Sequence, residues 1–272
     1  MKTGFFIVLT VDFNDYRIAL ILYRSQKNHD NHLIILICGS DKKRQFTTFA
    51  PMTICAGLDF NFLGQDLVLL PQKAIYWKQQ KALIAADIHL GKVGHFRKAG
   101  IAVPRNMEQS DLATLSDLIF EYKPEKLIFL GDLFHSDMNA DWEWFRLWRQ
   151  QNKKLQIILI RGNHDIIHDK YYLELNVALY DQLIVGPFLM LHHPLPESEL
   201  QQAEGYVLCG HIHPGINLSG RARQSITLPC FAFGKKQAIL PSFGRFTGRI
   251  AIRHEKSDRV FGVLEDKVIA IG

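Results

Sequence analysis

The chain has 272 residues, enough for one large domain or two small ones with a substantial hydrophobic core. Hydrophobic residues make up 47% of it and charged residues 22%, which excludes disorder, collagen and coiled coil as the main class. The net charge of +5 is mild and does not by itself indicate a nucleic-acid partner. The longest apolar stretches, such as residues 33–38, are too short to span a membrane.

The N-terminus begins with an apolar run that Asp12 interrupts and that no small-x-small cleavage site follows, so we expect no secretory signal. The cysteines are scattered and include no CxxC pair, which argues against a disulfide framework and for a reducing, cytoplasmic location. The first 51 residues contain no glutamate and none of the motifs below. They are either a strand-rich segment or an upstream extension of unknown role, with the true start at Met52. We favour the extension, which leaves one domain over residues 52–272.

Short apolar runs after Met52 predict strands separated by helices. The predicted strands are residues 67–70, 82–86, 126–130, 155–160, 188–191 and 206–209. Beyond Pro214 the chain becomes rich in strands and ends with two more, at residues 249–254 and 259–264. Because strands and helices alternate in the first part, the sequence indicates an α/β sandwich.

Two amphipathic segments predict the helices. Residues 106–122 repeat leucine and isoleucine at three- and four-residue spacing, and Pro124 stops the helix. Residues 141–151 place Trp142, Phe145 and Trp148 on one helical face. The aromatic cluster of Trp142, Trp144 and Phe145 is either part of the core or an interface with a second copy of the chain.

Five of the predicted strands are each followed by residue types that bind metals. In chain order, the five sequences are Asp87-Ile88-His89, Gly131-Asp132-Leu133-Phe134-His135, Arg161-Gly162-Asn163-His164-Asp165, His192-His193-Pro194 and Gly210-His211-Ile212-His213. Each is weak alone, but ligands collect at the carboxyl ends of strands in open α/β sheets. Together they predict one metal site, whose imidazole, carboxylate and amide groups suit manganese, iron, zinc or a similar divalent ion.

These motifs, taken in order, resemble those of the calcineurin-like metallophosphoesterase superfamily over residues 87–213. A closer resemblance is to the PdeM-type phosphoesterases, named as ligase-associated DNA damage response endonucleases. It rests on ADIHLGKVGHFRKAGIAVP at 86–104, GDLFHS at 131–136, CGHIHPG at 209–215, LPCF at 228–231 and FGRFTG at 243–248. The resemblance implies a four-layer αββα sandwich with two mixed β-sheets, in a cytoplasmic hydrolase.

The resemblance also implies two divalent metal ions, with manganese first and magnesium, iron, zinc or nickel as alternatives. The implied ligands are Asp87, His89 and His213 for one ion, Asn163, His192 and His211 for the other, and Asp132 as the bridge. His193 is the alternative to His192, which we choose because related phosphoesterases place the ligand two residues before the proline. The metals would generate a bridging hydroxide that attacks phosphorus in line.

Three further residues beside these motifs have expected roles. His164, next to Asn163, is the candidate general acid that protonates the leaving oxygen. Asp165 is expected to orient a ligand or to fix the turn. His135 stands where related Ser/Thr phosphatases have an aspartate and SbcD-type nucleases have a histidine, which favours a diester substrate. We expect it to contact the phosphate or to support His164, with a simple loop histidine as the alternative.

Basic residues accumulate around the predicted site. From His211 to the C-terminus there are ten lysines and arginines against four acids, which either attract a polyanion or form a solvated surface. The loop at residues 91–105 adds a second group, which consists of Lys92, His95, Phe96, Arg97, Lys98 and Arg105. We expect that loop either to meet substrate phosphates and bases or to remain solvated.

The sequence therefore predicts a metal-dependent phosphodiesterase, and the resemblance points to a nuclease that acts on DNA in repair. The alternatives are a phosphohydrolase for a small nucleotide or diphosphate and, further off, a non-catalytic, metal-stabilised repair scaffold. DNA and repair proteins such as a ligase or helicase are the expected partners, and a homodimer is a further expectation. No membrane association is expected. The sequence leaves open endonuclease against exonuclease action, and DNA against RNA.

Overall fold

In the computed structural model, the described residues are 6–13, 16–24, 31–38, 45–48, 57–92, 110–138, 140–219 and 225–271, with only the backbone described in the first four ranges. The chain divides into two compact units, Met1–Thr53 and Ile54–Gly272. None of the helices in the described ranges is long and apolar enough to span a membrane.

The first unit contains a four-stranded antiparallel sheet whose strands pair in chain order. Its strands are β1 (Phe6–Phe13), β2 (Tyr16–Arg24), β3 (Asn31–Cys38) and β4 (Gln45–Thr48). The segment is thus rich in strands, and its status as an extension stays a prediction.

The second unit begins with a seven-stranded mixed sheet in the order β11-β10-β9-β8-β7-β6-β5. Its strands are β5 (Leu58–Phe62), β6 (Gln65–Leu69), β7 (Ala74–Trp77), β8 (Ala82–Ala85), β9 (Lys126–Leu130), β10 (Gln156–Ile160) and β11 (Val177–Tyr180). Strands β5 to β8 form an antiparallel meander, whereas β8 to β11 are parallel. The parallel strands therefore end at one common edge.

Three helices connect the parallel strands, as crossover connections require. They are α1 (Ser110–Tyr122), α2 (Ala140–Gln151) and α3 (Asp169–Glu174), which precede β9, β10 and β11 respectively. Leu115 of α1 and Phe145 of α2 are fully buried in the cluster that also contains Leu127 and Leu159 of the sheet. These helices therefore cover one face of the first sheet.

The second sheet has nine strands, seven of them in the path β12-β13-β14-β17-β16-β15-β18 and two, β19 and β20, off this path. They are β12 (Leu183–Val185), β13 (Phe188–Met190), β14 (Tyr206–Cys209), β15 (Pro214–Ser219), β16 (Ser225–Phe233), β17 (Gln237–Ile239), β18 (Ile250–Ala251), β19 (Arg259–Val263) and β20 (Val268–Ala270). Parallel and antiparallel pairs both occur, so this sheet is also mixed.

A shared core holds the two sheets of this unit face to face. Ile84 and Ile128 of the first sheet belong to the same buried cluster as Leu208 and Phe231 of the second. Their sequence neighbours point the other way because side chains alternate across a strand. A single-turn helix, α4 (Glu197–Leu200), packs on the outer face of the second sheet. The four layers of the predicted αββα sandwich are therefore present.

The predicted elements agree with the structure except at their ends. The strands at 126–130 and 206–209 match β9 and β14. The strand expected at 249–254 is shorter, because β18 pairs with β15 at only two positions. Helix α1 begins at Ser110, and residues 106–109 of its prediction lie outside the described ranges. Trp142 and Phe145 are buried and Trp144 is partly buried against them, so this cluster belongs to the core.

Candidate metal centre

The candidate site lies where the parallel strands of the first sheet end beside the second sheet. Five of its residues have a left-handed backbone, namely Asp87 (φ 53°), His89 (φ 53°), Asp132 (φ 51°), His211 (φ 68°) and His213 (φ 51°). This conformation costs about 1–2 kcal/mol for a residue with a Cβ. Such strain concentrates at functional sites because the surrounding structure must hold it in place.

Asp87 joins the ends of the two sheets. Its side chain is fully buried, and its carboxylate oxygens accept hydrogen bonds from the His211 backbone N–H at 3.1 and 2.9 Å. The same carboxylate lies 3.6 Å from His213 Nε2. The turn after β8 and the turn after β14 are therefore fixed to each other through this one side chain.

Asp132 lies in the middle of the group. Its Oδ1 accepts a hydrogen bond of 2.8 Å from the His164 backbone N–H. Its Oδ2 lies 3.5 Å from His192 Nε2 and 3.8 Å from His89 Nε2. One oxygen thus fixes the turn after β10, while the other faces two imidazoles.

His192 is buried and oriented by the backbone. Its Nδ1 lies 2.9 Å from the Leu130 carbonyl oxygen, which can only accept, so Nδ1 carries the proton. Its Nε2 lies 3.0 Å from Asn163 Oδ1 and 3.2 Å from His211 Nδ1. Metal-binding histidines are commonly held in this way. His193 is exposed, and its ring contacts the ring of His211.

The donor atoms fall into three clusters, in each of which they lie within 4.8 Å of one another. The clusters are Asp87, His89 and His213; Asp87, Asp132 and His192; and His192, His193 and His211. His213 Nε2 and His89 Nδ1 are buried and have no hydrogen-bond partner among the described residues. Buried nitrogens of this kind, beside two buried carboxylates, fit a site built for divalent cations.

Burial lowers the pKa of three of these histidines and so favours the neutral form that metal binding requires. Burial, with a smaller contribution from the charge of Lys92, lowers the pKa of His89 to about 2. The pKa of His211 is lowered mainly by burial and then by His192. The pKa of His193 is lowered by burial and by the same neighbour.

The chain was compared with protein-family models and with solved structures, and both comparisons agree with these motifs and this geometry. The family model for calcineurin-like phosphoesterases matches residues 81–225. The chain belongs to the calcineurin-like phosphoesterase family. Among solved structures it is similar to the Pseudomonas putida nuclease MPE, with 32% sequence identity and a TM-score of 0.66 over 79% of this chain and 100% of that chain. No curated protein sequence matches the chain.

This phosphoesterase is therefore a metal-dependent enzyme, as the sequence motifs predict. The structure brings all seven predicted ligands together where the ends of the two sheets meet. They are Asp87, His89, Asp132, Asn163, His192, His211 and His213. Asp87 belongs to two of the three clusters and Asp132 to one, so the bridging role of Asp132 stays a prediction.

The two histidines expected to act on the substrate lie side by side. The rings of His135 and His164 stack with their centroids 5.5 Å apart and an angle of 22° between their planes. Each ring also contacts the edge or face of His89, at centroid distances of 5.6 and 5.3 Å. Both are partly exposed, so a substrate at the centre of the site can reach them.

Asp165 fixes the turn, as expected from the sequence. Its carboxylate accepts backbone hydrogen bonds from Gly162 (2.9 Å), Asp132 (2.8 Å) and Leu133 (3.0 Å). Burial raises the pKa of Asp165 to about 6, while these donors act in the opposite direction. The buried Asp165 side chain therefore holds the backbone of Asp132 in place.

Of the basic loop at residues 91–105, only Gly91 and Lys92 belong to the described residues. Lys92 is half-buried, and Asp132 and Asp87 act to raise its pKa while burial, the larger effect, lowers it. His95, Phe96, Arg97, Lys98 and Arg105 lie outside the described ranges.

The sequence motifs missed one part of the site. Ser242 Oγ donates a 2.8 Å hydrogen bond to the Asp87 carbonyl oxygen, and the Phe243 N–H donates one of 2.8 Å to the carbonyl oxygen of Ala86. The signal for this contact was the FGRFTG stretch, which the resemblance singled out without giving it a role.

Proposed function

We propose that this phosphoesterase is a nuclease that hydrolyses phosphodiester bonds of DNA with the help of two divalent metal ions. The observation that carries the proposal is the convergence of buried carboxylates and imidazoles where the two sheets of this unit meet. The 32% identity to a bacterial nuclease supports a diester substrate. The histidine at position 135, where related phosphatases have an aspartate, supports it as well.

The proposed ligands keep the assignment made from the sequence motifs, with manganese as the first choice of metal. When bound, two divalent ions clamp the phosphate and supply an activated water at neutral pH. His192 is preferred over His193 because its Nδ1 is fixed by Leu130 while its Nε2 faces Asp132 and Asn163.

The protein's own groups have three tasks in the proposed reaction. The hydrogen bonds of Asp87 and Asp165 hold the ligand-bearing turns in place before substrate arrives. His164 donates a proton to the leaving oxygen, and His135 beside it contacts the phosphate or orients His164. Both rings lie against His89, so a phosphate held at the centre is within their reach.

The decisive experiment measures hydrolysis of an aryl phosphodiester and of the matching monoester. The protein is first stripped of metal, and manganese, magnesium, zinc or nickel is then added back separately. We expect diester hydrolysis that requires metal, followed by cleavage of single-stranded or duplex DNA. A preference for the monoester would point to a phosphatase and contradict the proposal. Metal binding without turnover of either substrate would favour a scaffold.

His164→Ala is the mutational test, with His254→Ala as the matched control because His254 is exposed outside the site. Loss of a general acid reduces kcat by about 10²–10⁴-fold. We expect a larger loss on DNA than on a nitrophenyl ester, because nitrophenolate leaves readily without a proton. Equal losses on the two substrates would argue against the acid role.

The choice between the adjacent histidines is tested by metal titration of His192→Ala and His193→Ala. We expect His192→Ala to lose about 10- to 100-fold or more in metal affinity, on the scale known for disrupted metal sites. His193→Ala should bind metal as the unaltered protein does. The reverse result would make His193 the ligand.

A role in DNA repair, in the cytoplasm and beside a ligase or helicase, is part of the same proposal and rests on the family resemblance. Cells that carry His164→Ala should be as sensitive to DNA damage as cells that lack the gene. Normal resistance in both strains would contradict a repair role.

A further inference from the structure

A single segment, residues 242–250, is tied at both ends to the metal centre. At its start, Ser242 Oγ and the Gly244 N–H donate hydrogen bonds to the carbonyl oxygen of Asp87, at 2.8 and 3.2 Å. At its end, the Ile250 N–H donates a 3.1 Å hydrogen bond to the carbonyl oxygen of His213. We call this stretch the bridging segment. Its side chains therefore hold a fixed position relative to two proposed ligands.

A basic cleft lies between the bridging segment and Lys73. Its lining includes Lys73, His213, Arg245, Thr247 and Arg249, and none of its described lining residues is acidic. Lys73 Nζ donates a 3.1 Å hydrogen bond to the Gly244 carbonyl oxygen, which also accepts one of 2.8 Å from Thr247 Oγ1. Because His213 is shared, the cleft opens directly onto the metal centre.

Positively charged side chains outnumber negatively charged ones around this cleft. The pKa of Lys73 is lowered to about 8, mainly by burial and in part by the positive charges of Arg249 and Arg245. Asp111 at the start of α1 acts in the opposite direction on Lys73. Arg245 and Arg249 thus lie close enough to Lys73 to repel it, and a bound anion would reduce this repulsion.

We propose that this cleft binds the phosphate next to the one held at the metal centre. Arginine recognises phosphate through paired N–H groups and lysine does so as a point charge. A substrate that uses both positions carries successive phosphates on one chain, as a polynucleotide strand does. This inference rests on the proposed nuclease function. The cleft would let the enzyme distinguish a polynucleotide strand from a small diester that has only one phosphate.

The test compares Arg245→Ala with the unaltered protein on three substrates. They are an aryl phosphodiester, a dinucleotide with one phosphodiester and a trinucleotide with two. We expect kcat/KM for the trinucleotide to fall about tenfold, mainly through KM, as loss of a charge-assisted contact implies. Values for the two single-phosphate substrates should not change. Arg245→Lys keeps the charge and should recover part of the trinucleotide activity.

Lys154→Ala is the matched control for a general charge effect. Lys154 is exposed in the turn before β10, at the opposite end of that strand from the metal centre. Its removal should leave the trinucleotide value unchanged. The salt dependence gives a second readout, because each phosphate contact on a single strand contributes about 0.7 to the slope of log affinity against log salt. Arg245→Ala should lower that slope, whereas Lys154→Ala should not.

The results of these assays can overturn the phosphate-binding role of the cleft separately from the proposed nuclease function. Hydrolysis of the aryl diester without cleavage of either nucleotide would overturn the nuclease function, and the inference with it. Cleavage of the trinucleotide with equal losses for Arg245→Ala on all three substrates would overturn the inference alone. An unchanged trinucleotide value in Arg245→Ala would do the same.

Discussion

Gly131 shows how closely single residues are packed behind the ligands. Its backbone is left-handed (φ +79°), and a Cβ placed on it would overlap Nδ1 of His192. The nitrogen concerned is the one that donates to Leu130, so a side chain here would turn the imidazole away from its position. The position of His192 therefore requires that residue 131 has no side chain.

Gly131→Ala is expected to weaken metal binding and to lower the free energy of unfolding. Gly64→Ala is the matched control, because Gly64 has a similar φ of +73° and open space around it. The control should lose about 1–2 kcal/mol from backbone strain alone. Gly131→Ala should lose more and should also bind metal more weakly, as urea unfolding and metal titration would show. Equal losses in the two variants would contradict the role of the overlap.

His135→Ala tests the histidine that distinguishes this site from related phosphatases. The ring lies beside His164, outside the three metal-binding clusters. We expect diester hydrolysis to fall about 10²-fold, within the range for a group that assists proton transfer, while metal affinity stays unchanged. The same assays on His254→Ala provide the control. Full diesterase activity in His135→Ala would remove the role.

At the scale of elements, helix α1 contains a carboxyl group with an unfavourable environment. Burial raises the pKa of Asp117 to about 6. The folded state therefore retains a proton that the unfolded state releases near pH 4, so stability from this group falls as pH rises from about 4 to about 6. Above about pH 6, the destabilisation of the folded state by ionised Asp117 no longer changes with pH. The helix would be more stable with a neutral side chain at this position.

Asp117→Asn is accordingly expected to raise the free energy of unfolding by about 1–2 kcal/mol at pH 7, and by much less at pH 4. Urea unfolding of metal-free protein at both values would measure the difference, since effects of the metal centre cancel between the variants. Glu121→Gln, at an exposed position of the same helix, is the control. A variant whose advantage does not grow between pH 4 and pH 6 would contradict the assignment.

The elements also show what the sequence could and could not predict. The proposed ligands could be selected from the sequence because residue types that bind metals follow buried strands, and the structure brings these residues together where the two sheets meet. Ser242 was not, because its partner Asp87 lies 155 residues away and no periodic pattern records that contact. His192 and His193 are adjacent and chemically identical. What distinguishes them is the burial of His192 and its contacts with distant residues, of which the hydrogen bond to Leu130 spans 62 residues.

At the scale of the whole molecule, the chain divides into the units Met1–Thr53 and Ile54–Gly272, and a true start at Met52 stays a prediction. Every proposed ligand, His135, His164 and the basic cleft belong to the unit Ile54–Gly272. We therefore expect a protein that begins at Met52 to fold and to hydrolyse the aryl phosphodiester with an unchanged kcat/KM.

Thermal unfolding and diester kinetics of the shortened and full chains would check this prediction. His164→Ala in the shortened chain gives the background rate. An insoluble or inactive shortened protein would show that residues 1–51 contribute to the enzyme. The segment would then be part of the working protein and not an upstream extension.

The hydrogen bond between Asp87 and the His211 backbone has a consequence for the order of folding. It joins residues 124 positions apart, and neither sheet of the second unit contains both. Contacts so distant in sequence form late, after the loop between them has closed. A cation that needs both turns would then bind only after the rate-limiting barrier. We expect added metal to slow unfolding strongly while leaving the refolding rate almost unchanged, so that it prolongs the lifetime of the native state.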